Sequence, residues 1–128
     1  MSAKGIETVE LNMTDGSGLA RADLVTTNLQ AKMLGKIQSD PAIAKSFFNS
    51  LPVAGKQGSM SNIGKGTYIE GKMRAKTGYI NKARAYCGYV TTSKGKELSF
   101  SVIFNNYNCS AKDAKLKIEK FLVALGDE

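Results

Sequence analysis

The chain is 128 residues long, enough for one domain; a domain of that size buries roughly two-thirds of the surface its unfolded form exposes. A hydrophobic content of 42% excludes a disordered chain, and no apolar run approaches the ~20 residues that span a bilayer. Histidine is absent, which removes Ser-His-Asp and Cys-His catalysis and every histidine-based metal site, so a serine enzyme built from this material has to take lysine as its base.

In chain order, residues 1–13 read as an N-terminal extension lacking the basic flank and apolar core of a signal peptide. MTDGSGLARADL follows, rich in turn residues: Asp15, Gly16, Ser17 and Gly18 tolerate tight turning. Thr26 then offers an N-cap to a helix with Leu29, Met33, Leu34 and Ile37 at helical spacing. A second, shorter helix opens at Ser39-Asp40-Pro41, carries Ile43, Phe47 and Phe48, and stops at Ser50-Leu51-Pro52. Residues 55–71 hold five glycines and few large apolar groups, and read as a long loop of the functional or mobile kind.

Three strands follow at 72–80, 84–92 and 97–105. Both faces of 84–92 are mostly apolar or small, as in a central strand, and a Lys94-Gly95 turn joins it to 97–105 as a hairpin. Ser110 caps a last helix with Ala111, Ala114, Ile118, Phe121, Leu122 and Leu125 on one face, ended by Gly126. The expected fold is α/β in the α+β sense, a single domain over 1–128. An antiparallel sheet of about three strands packs against the C-terminal helix, with two helices before it. The 97–105 strand is apolar enough to want a neighbour on its far edge, which implies missing sequence or a dimer.

The net charge of +7 is uneven: residues 65–96 carry Lys or Arg at 65, 72, 74, 76, 82, 84, 94 and 96 against one acid, Glu70. Such a stripe suits a carboxylate-ended peptide, an anionic polymer or nucleic acid, and it also suits a merely solvated strand surface. Tyr79, Tyr86 and Tyr89 interleave with Arg74, Lys82 and Arg84 as base-stacking surfaces do, yet no RNA-binding signature fits. Cys87 and Cys109 match no metal spacing and read as small buried or half-buried side chains.

Within the stripe, Lys76-Thr77-Gly78 places an ammonium, a hydroxyl and a side-chain-free backbone position on one strand. Neighbouring strand residues point to opposite faces, so Lys76 and Thr77 serve one ligand only if it lies along the strand's edge, where Gly78 lets it approach the backbone. A terminal carboxylate fits. Other catalytic patterns fail. Ser93-Lys94-Gly95-Lys96 matches Ser-x-x-Lys but sits in a hairpin turn rather than at a helix start. Gly16-Ser17-Gly18 lacks the glycine two positions before the serine that a nucleophile elbow requires, and no serine has Asn two positions later.

DGSGLAR, LPVAGKQGSM, EGKMRAKTGYINKARAYCGYVTT and SFSVIFNNYN together are similar to the C-terminal part of the D-alanyl-D-alanine carboxypeptidase/endopeptidase family, the class C low-molecular-mass penicillin-binding proteins. The likeness runs from about Thr14 to Leu125, with Ala20 where the family often has Ser. It implies a fragment of the β-lactamase/transpeptidase-like fold, from a serine enzyme that attacks the penultimate D-Ala carbonyl of peptidoglycan stem peptides and is acylated by β-lactams. On that pattern Lys76 and Thr77 hold the terminal carboxylate, Gly78 gives clearance, and the Tyr79 backbone N–H is one of two oxyanion donors. The resemblance further implies that the nucleophile and two more strands lie N-terminal to the matched region, so this chain alone is inactive. It also implies no cofactor or metal, no nucleic-acid partner, no membrane span, and a periplasmic or otherwise extracytoplasmic parent. The reading from another class is a non-catalytic basic module that binds cell-wall polymer or nucleic acid.

Overall fold

In the computed structural model, residues 5–20 and 22–128 are described; the first residues of the expected extension and the arginine that closes DGSGLAR lie outside the described residues. A two-stranded ribbon comes first: β1 (Leu11–Asn12) pairs antiparallel with β2 (Leu24–Val25), bracketing the DGSG turn. Asp23 closes that turn by accepting from both the N–H and the hydroxyl of Thr14 at 2.7 Å.

Helix α1 (Thr27–Gln38) starts where a threonine can cap it, the Thr26 hydroxyl accepting from the Leu29 N–H. The next helix, α2 (Ala44–Ser50), begins three residues after Pro41. Asp40 opens it through a turn, its carboxylate taking the Ala42 N–H and its carbonyl the Ile43 and Ala44 N–H groups. No residue of α2 is fully buried. Its aromatics lean on the sheet instead, Phe47 edge-on to Tyr89 at 6.5 Å and Phe48 under the Arg74 guanidinium at 4.9 Å.

Three strands form the main sheet in the order β3 (Met73–Ile80), β4 (Ala83–Thr91), β5 (Glu97–Asn105), all antiparallel, with β4 central as its two-sided apolar pattern dictates. Helix α3 (Ala111–Gly126), capped by Ser110, covers one face. Its Ile118 and Leu122 meet Met73, Ala75, Tyr86, Val90 and Phe100 there. The opposite face takes α1: Leu34, Leu51 and Tyr89 cluster, and the Tyr89 hydroxyl donates 2.7 Å to the Leu34 carbonyl.

Three expectations need correction. Residues 55–71 form a loop without strand or α-helix, as expected, but a packed loop rather than a mobile one. Met60, Ile63 and Ile69 in this stretch are essentially inaccessible and complete the α3-side core, around a single 3-10 turn at Gly58–Met60. Backbone bonds such as Gly55 N–H to Met60 O at 2.9 Å, and the Glu119 carboxylate accepting from Gly64 N–H at 2.7 Å, hold it in place. Few apolar residues were needed because each is wholly buried, a contribution of roughly 1.5–3 kcal/mol apiece. On α3, Phe121 is 52% exposed rather than part of the core face. Gly126 is the last helical residue rather than a left-handed cap, and a Cβ there would lie 2.3 Å from Ile69 Cγ2, so it is small because the 55–71 segment presses against it. Cys87 and Cys109 are both free and half-buried.

Candidate carboxylate-binding edge

The Lys-Thr-Gly tripeptide lies in the middle of β3, as a strand, at an outer edge of the sheet. Backbone direction there follows from the bonds on each side. Lys72 O accepts the Thr91 N–H, so even-numbered residues of β3 face β4. Met73 O accepts the Ala54 N–H at 2.9 Å and the Ala75 N–H donates to Pro52 O at 3.1 Å, so odd-numbered residues face outward. The 52–54 segment thus covers the edge as far as Ala75 and stops. Beyond it the backbone groups of Thr77 and Tyr79 point to open space, the N–H groups making no backbone bond among the described residues. The Tyr79 N–H, expected as an oxyanion donor, therefore faces the side a ligand can reach.

Side chains divide as the pleat requires. Lys76 and Gly78 are exposed and point to the α1 side, where Lys76 is paired with Cys87 and, one strand further, Ser101. Thr77 is half-buried on the α3 side opposite Tyr86, and Tyr79 is 60% exposed. The Lys76 ammonium folds over the strand and donates 2.8 Å to the Thr77 carbonyl. That bond carries the cation from its own face to the open edge, next to the outward N–H groups. Ammonium and backbone donors thus meet on one strip, while the Thr77 side chain starts from the opposite face of the same strand. At Gly78 a Cβ would stand 3.4 Å from Ala85 Cβ, so packing tolerates a methyl there, and its absence matters on the open side.

Burial pushes the Cys87 thiol above its ordinary value of 9.0, with the nearby Lys76 charge pulling the other way. Burial likewise raises the Tyr86 phenol, opposed by the adjacent Arg84 charge. Both stay protonated at neutral pH, so the positive charge of the strip is not offset from within. Among the described residues no cluster of His, Cys, Asp or Glu could hold a metal ion, and no helix is long and apolar enough to cross a membrane.

The decoys fall away on geometry. Ser93 sits in the turn at the far end of β4 from Tyr79, its hydroxyl donating to Asp127 O and its N–H to Gly126 O. The three tyrosines expected to interleave with cations do not share a surface. Tyr86 and Tyr89 are 4% and 5% exposed on opposite faces, leaving Tyr79 alone in solvent. Sequence reasoning missed Arg84 as a neighbour of the strip; it lies directly across from Tyr79, with its guanidinium 4.3 Å from the ring centre. The hairpin register was the available signal, because a two-residue turn at Asn81-Lys82 forces that pairing.

Comparison with known proteins places the chain in a family. The profile described as the D-Ala-D-Ala carboxypeptidase 3 (S13) family matches residues 1–126. A D-alanyl-D-alanine carboxypeptidase from Actinomadura sp. (strain R39) is 39% identical over 113 residues, covering 84% of this chain and 21% of that protein. Carboxypeptidase DacB of Mycolicibacterium smegmatis is 32% identical over 120 residues, covering 86% of this chain and 25% of that protein. Among solved structures, penicillin binding protein 4 (dacB) from Haemophilus influenzae, complexed with a β-lactam, superposes with a TM-score of 0.87 at 25% identity, over 99% of this chain and 31% of that one. The chain thus spans about a quarter of the length of the curated relatives it matches. Its three-stranded sheet with flanking helices is a part of the penicillin-binding, transpeptidase-like fold, and the chain belongs to the D-Ala-D-Ala carboxypeptidase 3 (S13) family.

Proposed function

We propose that this chain supplies the substrate-carboxylate grip of a serine-type D-Ala-D-Ala carboxypeptidase/endopeptidase that acts on peptidoglycan stem peptides. Lys76 neutralises the terminal carboxylate, the Thr77 hydroxyl directs it, Gly78 clears the approach, and the Tyr79 N–H donates to the oxyanion formed at the penultimate carbonyl. One observation carries the reading: beyond Ala75 the edge of β3 is uncovered, and the Lys76 ammonium lies on that edge against the Thr77 carbonyl. An extended peptide laid along the edge meets cation and backbone donors together, the mode by which strand edges take up peptides. Separation of Tyr86 and Tyr89 onto opposite faces argues against the basic polymer-binding module.

The sole Ser-x-x-Lys of the sequence, Ser93 to Lys96, is a turn at the wrong end of the sheet, so the chain by itself hydrolyses nothing. The intact enzyme works outside the cytoplasm, where its substrate lies, and takes β-lactams as substrate mimics. The open β5 edge accepts a strand from outside the chain, or a second copy when no such strand is supplied. Incubation with a fluorescent penicillin followed by mass spectrometry tests the assignment. The expected result is no covalent adduct; a stoichiometric adduct means that the attacking serine is here and the division of labour is wrong.

A further inference from the structure

Tyr79 is the least supported residue of the strip. It stands four residues beyond the last point at which the 52–54 segment holds the β3 edge, and one residue before the end of β3. Its pairing with Arg84 is of the kind that exchanges no backbone hydrogen bonds; Gly78–Ala85 and Ile80–Ala83, on either side, make them. Such pairs bring side chains closest, so side-chain contact is what remains to fix Tyr79 locally. That contact is a cation over a ring: Arg84 Cζ lies 4.3 Å from the Tyr79 ring centre.

Arg84 is itself held. Its Nε is buried and makes no hydrogen bond, which rules out the solvated, wandering arginine expected on a hairpin surface. Phe104 is its neighbour in register on β5, and Tyr86 lies two residues along on the same face. An oxyanion donor stabilises developing charge only if it is in place beforehand. A half-exposed strand end with no bond of its own needs something to keep it there.

We propose that Arg84 is a positioning residue for this site: stacked against the Tyr79 ring, it holds the Tyr79 backbone N–H at the open edge of β3. The inference rests on the carboxylate-binding reading above and extends it to a residue that touches no substrate. Its consequence is selective. Losing Arg84 leaves the carboxylate grip of Lys76 and Thr77 intact and weakens only the donation by Tyr79.

The test is a titration of the 15N-labelled 128-residue chain with acetyl-D-Ala-D-Ala, following backbone amide shifts in the wild type, Arg84→Met and Arg84→Lys. In the wild type the Thr77 and Tyr79 amides move together. In Arg84→Met the Thr77 response persists while that of Tyr79 falls by about two- to fivefold, the range expected for loss of one exposed cation–π contact; Arg84→Lys, which keeps the cation, recovers part of it. Should Arg84→Met give no dispersed spectrum, Arg84→Gln is read in its place, since it too removes the charge. An unchanged Tyr79 response in a folded variant without the cation overturns the positioning role and leaves the carboxylate site standing. No response at Thr77 or Tyr79 in the wild type overturns the site and the positioning role with it.

Discussion

Gly88 is the position at which the β3 edge is most sensitive to a single methyl. A Cβ built there would lie 2.0 Å from the Arg74 carbonyl oxygen and 2.7 Å from Ala75 Cα. Both are backbone atoms of the neighbouring strand, so no side chain can swing aside, and the carbonyl has to retreat by about 1.4 Å to reach ordinary contact. Retreat breaks the Arg74–Tyr89 pair of ladder bonds, at roughly 0.5–1.5 kcal/mol each. Overpacking between strands adds roughly 1–3 kcal/mol. A narrower unfolded ensemble returns roughly 0.4–1 kcal/mol. Gly88→Ala is therefore expected to lose about 2–5 kcal/mol in urea unfolding followed by circular dichroism, with the slope against urea unchanged. Gly78→Ala is the control. Its Cβ meets only Ala85 Cβ, at 3.4 Å, so stability stays within about 0.5 kcal/mol while binding of acetyl-D-Ala-D-Ala weakens. A Gly88→Ala protein as stable as wild type would refute the strand spacing on which the position of Lys76 depends.

Met60→Ala empties a site at the centre of the 55–71 segment and is expected to cost about 2–5 kcal/mol; a loss below about 1 kcal/mol would return that segment to the status of a mobile, unpacked loop. Alkali is expected to destabilise the fold. Burial raises the Cys87 thiol above 9.0 and the Tyr86 and Tyr89 phenols above 10.0, so above about pH 9 the unfolded chain releases protons that the folded chain keeps. That stability is complete below pH 9 and declines as pH rises toward the folded-state values. Urea midpoints that hold level or climb between about pH 8 and 10.5 would contradict it.

Much of this architecture was written in local pattern. The strands at 73–80, 83–91 and 97–105 lie within a residue of where alternation and the Lys94-Gly95 turn put them, and Thr26 and Ser110 cap their helices as their side chains suggest. What pattern concealed was packing at a distance. Five glycines made 55–71 look loose, yet Met60, Ile63 and Ile69 are spaced too irregularly to register as an element while each fills the core. Phe121 has helical spacing with the buried face, yet it stands in solvent beside Ile118 and Leu122, which are buried. Gly126 sits where a capping glycine belongs and is kept small by Ile69 instead. For the site, Lys76, Thr77 and Gly78 were legible as a tripeptide with chemistry. That the edge beside them is open could not be read, because it depends on where the 52–54 segment stops pairing. Arg84 needed the hairpin register to be found.

Calorimetric titration of wild type and Lys76→Met with acetyl-D-Ala-D-Ala and with its C-terminal amide bears most directly on the carboxylate grip. The wild type is expected to prefer the acid by about tenfold or more, as for a charge-assisted hydrogen bond, and the variant to bind acid and amide alike. Equal affinity of the wild type for acid and amide, or an acid preference that survives loss of the lysine, would contradict the account.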